Sequence, residues 1–599
     1  MKIHAIEIFN PRLIQRVVFC ITAGLCGLLL GCEGSNFKWP GFAAKPEAKM
    51  TSDEKKKQDQ QTVAIRKTAP LPGTIGAACY LDGMQKRFVQ GYGLVAGLPG
   101  TGSGECPESL RKQLVATIAR YQKLYGDSSA QQLPPGGFFN THDTAVVKVI
   151  GTIPAGSLKG DHFDLAVQAL PNTGTTSLEG GRLYTCDLRI YAGPVGQTTA
   201  SHILAQGSGP IFINPFEKQK YRGSQLLHRG GYVLNGGTNI EDRRIFLMLA
   251  SPSYPAARAI EQKINSVFGP PADNPLWQTA KASGYDRIEL RIPRQYHNRL
   301  FHFLGLVRNI YIRSDPSYIE TQANDLTKQI GGPLANAPDI AYAWEAMGRS
   351  VLPMIQPLYT SPNKQASFYS AKAGAGLGDT LAMEQLGFFA ADPKSKFRQK
   401  AVQTLGFCRD SEARKILRKI LDDRDIDLRI LAYEGLARMD DVYVERIYVG
   451  EDNFALDTVQ SNAWPMVYAT REQQSKIVLF GKNNLEPPIF YCHPDNSITM
   501  SADSGAKQIA LLRQTPSGKS SGKITASLDL QALITLMGND SAVDKKTGKV
   551  YGLGLPYSHI VAILNQLCKN GSIPAKFKMQ DLQAVSEPPD DIIGRPEKD

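Results

Sequence analysis

Gly91-Tyr92-Gly93-Leu94-Val95-Ala96-Gly97-Leu98-Pro99-Gly100-Thr101-Gly102-Ser103-Gly104 joins a strand-like apolar run to a glycine loop and leads into a helix. The glycines adopt positive φ at little steric cost and let other backbone approach, while Leu94, Val95, Ala96 and Leu98 supply apolar surface between them. Residues 109–124 then carry Leu110, Leu114, Val115, Ile118, Ala119 and Tyr121 at helical spacing. The loop is not a phosphate loop. A Walker loop needs Lys followed by Ser or Thr after its last glycine, whereas Glu105 and Cys106 follow here, and an acid at that point repels phosphate. The block therefore reads as a structural turn.

Outward from it, residues 69–312 alternate short β-like runs (144–150, 163–167, 183–191, 244–249 and 288–292) with clusters of Gly, Pro, Asn and Ser. Two helices stand out, 109–124 and 254–268, the second with Ser253 as the expected N-cap and with Gly269 and Pro270 at its end. This is an α+β pattern of two lobes. Between 365 and 445 the pattern changes to paired helices with a weak repeat: Ala373 to Gly378, Ala401 to Gly406 and Ala432 to Ala437 recur about every thirty residues, with Asp392, Asp410 and Asp425 at turns. The period resembles that of short HEAT-like repeats, whose units must stack to cover their apolar faces. Residues 446–524 return to strand-like text at 476–480, 489–492 and 508–513 and predict a small β domain.

The N-terminus sets the expected compartment. Lys2, Arg12 and Arg16 precede the apolar run 17–30, too short for a comfortable membrane span, which ends in Leu29-Leu30-Gly31-Cys32. Residues 1–31 read as a lipoprotein signal peptide and Cys32 as the lipidated first residue of the mature chain. The polar stretch 32–67 reads as a flexible tether, with an end-to-end distance of about 30 Å and a stretched reach of about 100 Å. The remaining cysteines, Cys79, Cys106, Cys186, Cys408, Cys492 and Cys568, are open to pairing or to burial as free thiols. No Cys-x-x-Cys pair marks a zinc site.

Several stretches, in order, resemble the flagellar P-ring protein family. The opening block at Gly91 is similar to that family's signature. Thr144-Ala-Val-Val-Lys-Val with Ile153-Pro154, Ser177-Leu-Glu-Gly-Gly-Arg-Leu, Ala205-Gln-Gly, the helix from Ala256 to Asn265 with Phe268-Gly269, the strand from Arg287 to Pro293 and the helix from Phe301 to Leu306 follow in the family's order. Pro556-Tyr-Ser-His-Ile-Val-Ala-Ile-Leu-Asn-Gln-Leu and Lys569-Asn-Gly-Ser-Ile resemble its C-terminal helix and closing strand. The resemblance implies a β-rich, multi-lobed α+β body over 68–315, completed by a helix and strand over 525–586. Into it are inserted a connecting segment (316–364), the HEAT-like repeats (365–445) and the β domain (446–524), and a disordered tail (587–599) follows. The lipobox departs from the family's ordinary cleaved signal.

The net charge of +12 points to polyanions, and export removes nucleic acid from the candidates, leaving cell-wall polymers such as peptidoglycan, acidic lipid headgroups or an acidic protein face. No catalytic motif is present: there is no His-Glu-x-x-His, no Gly-x-Ser-x-Gly and no Ser-x-x-Lys set. His142-Asp143 and Asp161-His162 are adjacent pairs that face opposite ways in a strand. Asp422 to Asp425 and Asp590-Asp591 read as caps or solvated charge. His559 lies on an otherwise core-forming helix and reads as a surface or interface residue. No enzyme, metal or cofactor is expected.

The resemblance implies a structural subunit of a periplasmic ring around the flagellar rod, in contact with copies of itself and with rod and L-ring proteins; the Cys32 reading, not the resemblance, adds a lipid anchor to the outer membrane. Loop 92–103 (Tyr92, Gly93, Gly100, Thr101, Gly102, Ser103) and turn 177–182 (Ser177, Gly180, Gly181, Arg182) are the expected subunit or rod contacts. A lipid-anchored envelope adaptor that uses the same scaffold, with its repeats binding another envelope protein, is the alternative. A cell-wall enzyme ranks third.

Overall fold

The computed structural model describes residues 69–581 except 126–136, 193–198, 201, 217–219, 223–224, 271–277, 452, 494–496, 515–519 and 544–549. The signal, the tether with Cys32, and the tail with Asp590 and Asp591 lie outside the described residues. Strand Arg87–Ala96 carries the quoted block and belongs to a closed six-stranded barrel. Around the barrel the order is Gly230–Asn239, His162–Ala169, Thr144–Ile153, Arg87–Ala96, Arg182–Leu188 and Ala205–Pro210, after which the last pairs with the first. Closure leaves these strands no free edge. Alternating side chains fill the inside, among them Val89, Val95, Val149, Leu165, Leu183 and Val233.

Glycine makes so narrow a barrel possible. A Cβ at Gly91 would lie 2.1 Å from the Asp187 carbonyl oxygen, and one at Gly93 would lie 2.8 Å from the Leu183 side chain. Helix Glu108–Tyr125 lies on the barrel wall and sets Leu114 and Ile118 against Leu94 and Val146. Its Arg120 and Tyr121 donate to Asp187 at 2.7 and 2.6 Å. Burial works against that carboxylate, but the two donors outweigh it and hold Asp187 below the ordinary carboxylate range.

A four-stranded sheet in the order Cys79–Asp82, Ile245–Leu249, Arg287–Leu290, Ala280–Ala282 forms the second lobe, with helices Tyr254–Phe268 and Leu300–Arg308 contributing to its core. The helix over 254–268 has the predicted bounds, and Gly269 closes it at φ 67° with its amide bonded to the Asn265 carbonyl. The cap at the other end differs from expectation. Ser253 occupies the N-cap position, but its side chain makes no capping bond; Pro255 in the first turn lacks an amide to be satisfied.

Helical structure begins well before 365. Helices Pro316–Gln329 and Ala337–Met347 share one apolar core with Lys364–Gly376, Thr380–Ala391, Arg398–Leu405, Ser411–Ile420 and Ile426–Arg438, so the connecting segment is part of the helical layer. Side chains of Asn363, Asp379, Asp410 and Asp425 accept amide bonds from first-turn residues and start their helices. Asp392, in contrast, follows a helix and accepts from Lys394 N at 2.9 Å. Phe368 stacks on Phe397 with centroids 4.4 Å apart at the centre of this layer.

After residue 443 the chain builds a five-stranded sheet in the order Val444–Val449, Phe454–Val459, Lys476–Phe480, Met466–Ala469, Lys576–Met579, and a four-stranded meander over Ile489–Cys492, Ile498–Ala502, Gln508–Gln514 and Ser520–Ser527. The sequence-level division at 524/525 is not a boundary here. Strand Lys576–Met579 pairs in parallel with Met466–Ala469, and helix Tyr557–Lys569 buries Ile560, Ile563, Leu564 and Leu567 in the same core as Val467 and Ile477. The C-terminal helix and strand therefore complete this β module, because only there do their apolar faces find cover.

Asp457, fully buried on Phe454–Val459, accepts both arms of Arg446 at 2.7 Å and the Tyr433 hydroxyl at 2.5 Å, which ties the sheet to helix Ile426–Arg438. Replacing it with Ala leaves the Arg446 charge and the Tyr433 hydroxyl without their acceptor. Asp457→Ala is expected to lower stability by about 3 kcal/mol, read as a shift in the urea midpoint.

Candidate functional site

Loop 97–104 and turn 177–182 form one structure. Thr101 Oγ1 donates to the Ser177 carbonyl at 2.8 Å, and the Thr176 amide donates to the Thr101 carbonyl at 2.8 Å. The Leu98 and Gly102 amides go to the Asp143 and His142 carbonyls, and the Gly100 amide reaches Asp143 Oδ1 at 3.2 Å. These donors all face protein acceptors, consistent with a turn that cradles no anion. His142 and Asp143 are thus props of the loop. Asp161 accepts from the Leu158 amide at 2.7 Å, and His162 sits 3.2 Å from the Thr238 hydroxyl.

The expected contact residues divide by exposure. Gly93, Gly102, Ser103 and Gly181 are buried within the chain and shape its backbone: a Cβ at Gly102 would lie 2.2 Å from the Thr144 carbonyl oxygen, and one at Gly181 2.5 Å from Val95. Tyr92, Thr101 and Ser177 are half-buried. Gly100, Gly180 and Arg182 are exposed, the two glycines at φ 73° and 76°. Contact with another molecule is therefore open to the tip residues, while the buried ones set where the tip stands.

Residues that the sequence reading passed over hold this site. Arg229 donates to the Thr173, Leu170 and Thr175 carbonyls and fixes the approach to the turn. Glu179, on the turn itself, lies 3.0 Å from His228 Nδ1 and 2.9 Å from His559 Nε2. His559, read from the sequence as a surface or interface residue, is buried inside the chain, with its ring 4.5 Å from that of His493. The helix over 557–569 is covered on this side by the barrel turn, which no local pattern announces. Burial alone would raise the Glu179 pKa, but hydrogen bonds from His228 and His559 outweigh it and bring it down to about 2. Phe212 against Tyr557, at 5.5 Å, and Asp164 accepting from the Gln473 amide at 2.7 Å extend the same seam between barrel and β module.

The outer barrel face carries an apolar row that only strand register creates. Ile150 pairs with Gln90 on one side and Ala166 on the other, and Ala166 pairs with Tyr232. Phe88 lies two residues from Gln90 on the same face. Phe88, Ile150 and Tyr232 remain 61%, 39% and 41% exposed, large values for apolar side chains in neighbouring positions.

Among the described residues no group of three or more His, Cys, Asp or Glu could hold a metal ion, and no helix is long and apolar enough to cross a membrane. Cys79, Cys106, Cys186, Cys408 and Cys568 are free thiols; burial pushes those of Cys79, Cys186, Cys408 and Cys568 up to about 12. Asp422 accepts from Asn462, Asp423 pairs with Arg398 at 2.5 Å and Asp425 caps a helix, so that acidic cluster is structural.

The family described as Flagellar P-ring protein matches residues 75–320, the span of the barrel, the second lobe and the start of the helical layer. A curated relative from Photobacterium profundum, "Flagellar P-ring protein 1", is 29% identical over 245 residues, covering 39% of this chain and 59% of that protein. The "Flagellar P-ring protein" of Vibrio atlanticus is 27% identical over 239 residues, 38% of this chain and 58% of its own length. That of Aquifex aeolicus is 26% identical over 241 residues, 39% and 59% respectively. The chain thus spans about three fifths of the length of these relatives, as the 58–59% coverage states. The resemblance read from the glycine block and the motifs that follow it is borne out over this stretch.

Proposed function

We propose that the chain is a structural subunit of a ring of the P-ring kind, assembled around the flagellar rod in the periplasm and serving motility. The observation that carries this reading is the match over 75–320, which falls on the barrel, its glycine loop and the 177–182 turn together. The P-ring family is structural, and the reading includes no enzymatic step. A ring subunit needs two different complementary faces, because a head-to-tail contact repeated through a fixed rotation closes on itself. The apolar row of Phe88, Ile150 and Tyr232 supplies one face, and the Gly100, Gly180 and Arg182 tip supplies a second contact toward a neighbour or the rod.

In the same reading Cys32 carries the lipid that holds the chain to the outer membrane, the L-ring and rod proteins are neighbours, and peptidoglycan is within reach of the basic surface. The paired helices act as HEAT-like repeats that extend the ring outward with the β module. The comparisons favour a ring subunit over the envelope adaptor and do not bear on the lipid or the repeats.

Electron microscopy of the purified protein and of isolated basal bodies tests it. Closed annuli are expected from the natural chain, and Phe88→Asp combined with Tyr232→Lys is expected to reduce them at least about tenfold while the melting curve stays put, because both side chains are exposed. Persistent monomers together with normal motility after deletion of the gene would overturn it.

A further inference from the structure

A cavity of about 340 Å³ opens where Arg299, just before helix Leu300–Arg308, meets the helices Ala337–Met347, Lys364–Gly376 and Arg398–Leu405. Its walls combine two chemistries. Phe368, Tyr369 and Phe407 supply aromatic surface, and Arg299, Lys372 and Lys400 bring three cations to one opening. Glu345 is the one carboxylate in the lining, and it is engaged: its Oε1 lies 2.9 Å from His302 Nε2, and it sits against Gly376, where a Cβ would come within 2.5 Å of its carboxyl carbon.

Two of the three cations lie over aromatic rings. The Lys372 ammonium lies 4.6 Å from the Tyr342 ring centroid, and the Arg299 guanidinium lies 5.0 and 5.4 Å from those of Tyr296 and Phe407. Among the described residues none of Arg299, Lys372 and Lys400 forms an ion pair. Burial lowers the Lys372 pKa from its ordinary value, and the nearby Lys400 charge adds to that, while the Glu345 and Asp339 carboxylates oppose it only in part. Positive charge lined up along an apolar wall at this volume matches the anatomy of a ligand pocket.

We infer that this cavity is a docking pocket for an acidic peptide segment of another protein, with a Glu or Asp carboxylate set among Arg299, Lys372 and Lys400 and a neighbouring apolar side chain laid on Phe368, Tyr369 and Phe407. Charge complementarity selects the carboxylate, and the aromatic wall selects a segment that carries apolar surface beside it, which a bare phosphate or a neutral sugar does not. Gln403 and Thr404 at the opening are placed to meet the peptide backbone. Arg299 lies inside the span matched by the P-ring family and Lys372 and Lys400 outside it, and the binding test below needs no ring to form.

Calorimetric titration of the full chain with a panel of blocked tetrapeptides, in which Glu or Asp neighbours Phe, Tyr or Leu, tests the inference. At least one peptide is expected to bind in a salt-sensitive manner. Its Gln or Asn counterpart, Lys372→Met and Arg299→Gln are each expected to weaken that binding at least about tenfold, and the exposed Lys400→Gln about threefold. Unchanged melting curves for Arg299→Gln and Lys400→Gln separate loss of binding from loss of fold. Failure of the whole panel to bind, equal binding of the neutral counterparts, indifference to all three substitutions, or equal displacement by inorganic phosphate would each overturn it.

Discussion

Gly91→Ala is expected to cost at least about 4 kcal/mol and to leave little soluble protein at 37 °C, although it adds a single methyl group. The added carbon would stand 2.1 Å from the Asp187 carbonyl oxygen and 3.2 Å from its carbon. Both obstacles are backbone, so no rotamer change relieves the clash. Asp187 also anchors helix Glu108–Tyr125 through Arg120 and Tyr121, and pushing its strand outward loosens the helix as well. Gly97→Asn makes the contrast. Gly97 has φ 78° and no atom within 4 Å of a built Cβ, and Asn tolerates left-handed backbone, so that change is expected to cost no more than about 1 kcal/mol. Urea denaturation of both variants decides the matter, and equal midpoints for Gly91→Ala and the natural chain would refute the close-approach account.

Glu179→Gln is expected to produce a stability loss that depends on pH. Glu179 has its pKa lowered from 4.5 to about 2 in the folded chain, and its side chain is 24% exposed. A carboxylate with a depressed folded pKa contributes stability that is fully present above its unfolded value of about 4.3 and is lost as pH falls through the folded value. The difference between the natural chain and Glu179→Gln should therefore be about 3 kcal/mol at pH 7, shrink between pH 4.5 and 2, and vanish below that. Because Glu179 bridges the barrel turn to His559 on the C-terminal helix, the variant should also admit protease at the seam between barrel and β module. A gap that is constant from pH 7 to pH 3 would show that the carboxylate's charge is not what the two histidines hold.

Much of the local structure was legible in the sequence. The helix Tyr254–Phe268 and the strands Lys476–Phe480 and Ile489–Cys492 have the predicted bounds, because periodicity and glycine or proline punctuation act over a few residues. The glycine block was legible as a place of close backbone approach, and the absence of catalytic motifs followed from residue types alone. The candidate site was only partly readable. Gly102 and Ser103, expected among the subunit or rod contacts, are buried within the chain; Glu179 lies within the quoted 177–182 motif but carries no local mark of its histidine partners.

What the sequence by itself determined is the type of its strongly patterned segments, such as helix Tyr254–Phe268 and strand Lys476–Phe480, and where glycine lets backbone approach, since those depend on backbone sterics and on the spacing of apolar side chains. The tertiary structure alone decided that strand Lys576–Met579 joins Met466–Ala469, that His559 is buried against Glu179, and that Phe88, Ile150 and Tyr232 fall into one row, with Ala166 on the strand between the last two. Strand pairing is selected by the total apolar area that the whole chain can cover. That quantity belongs to no single segment and cannot be read from any one of them.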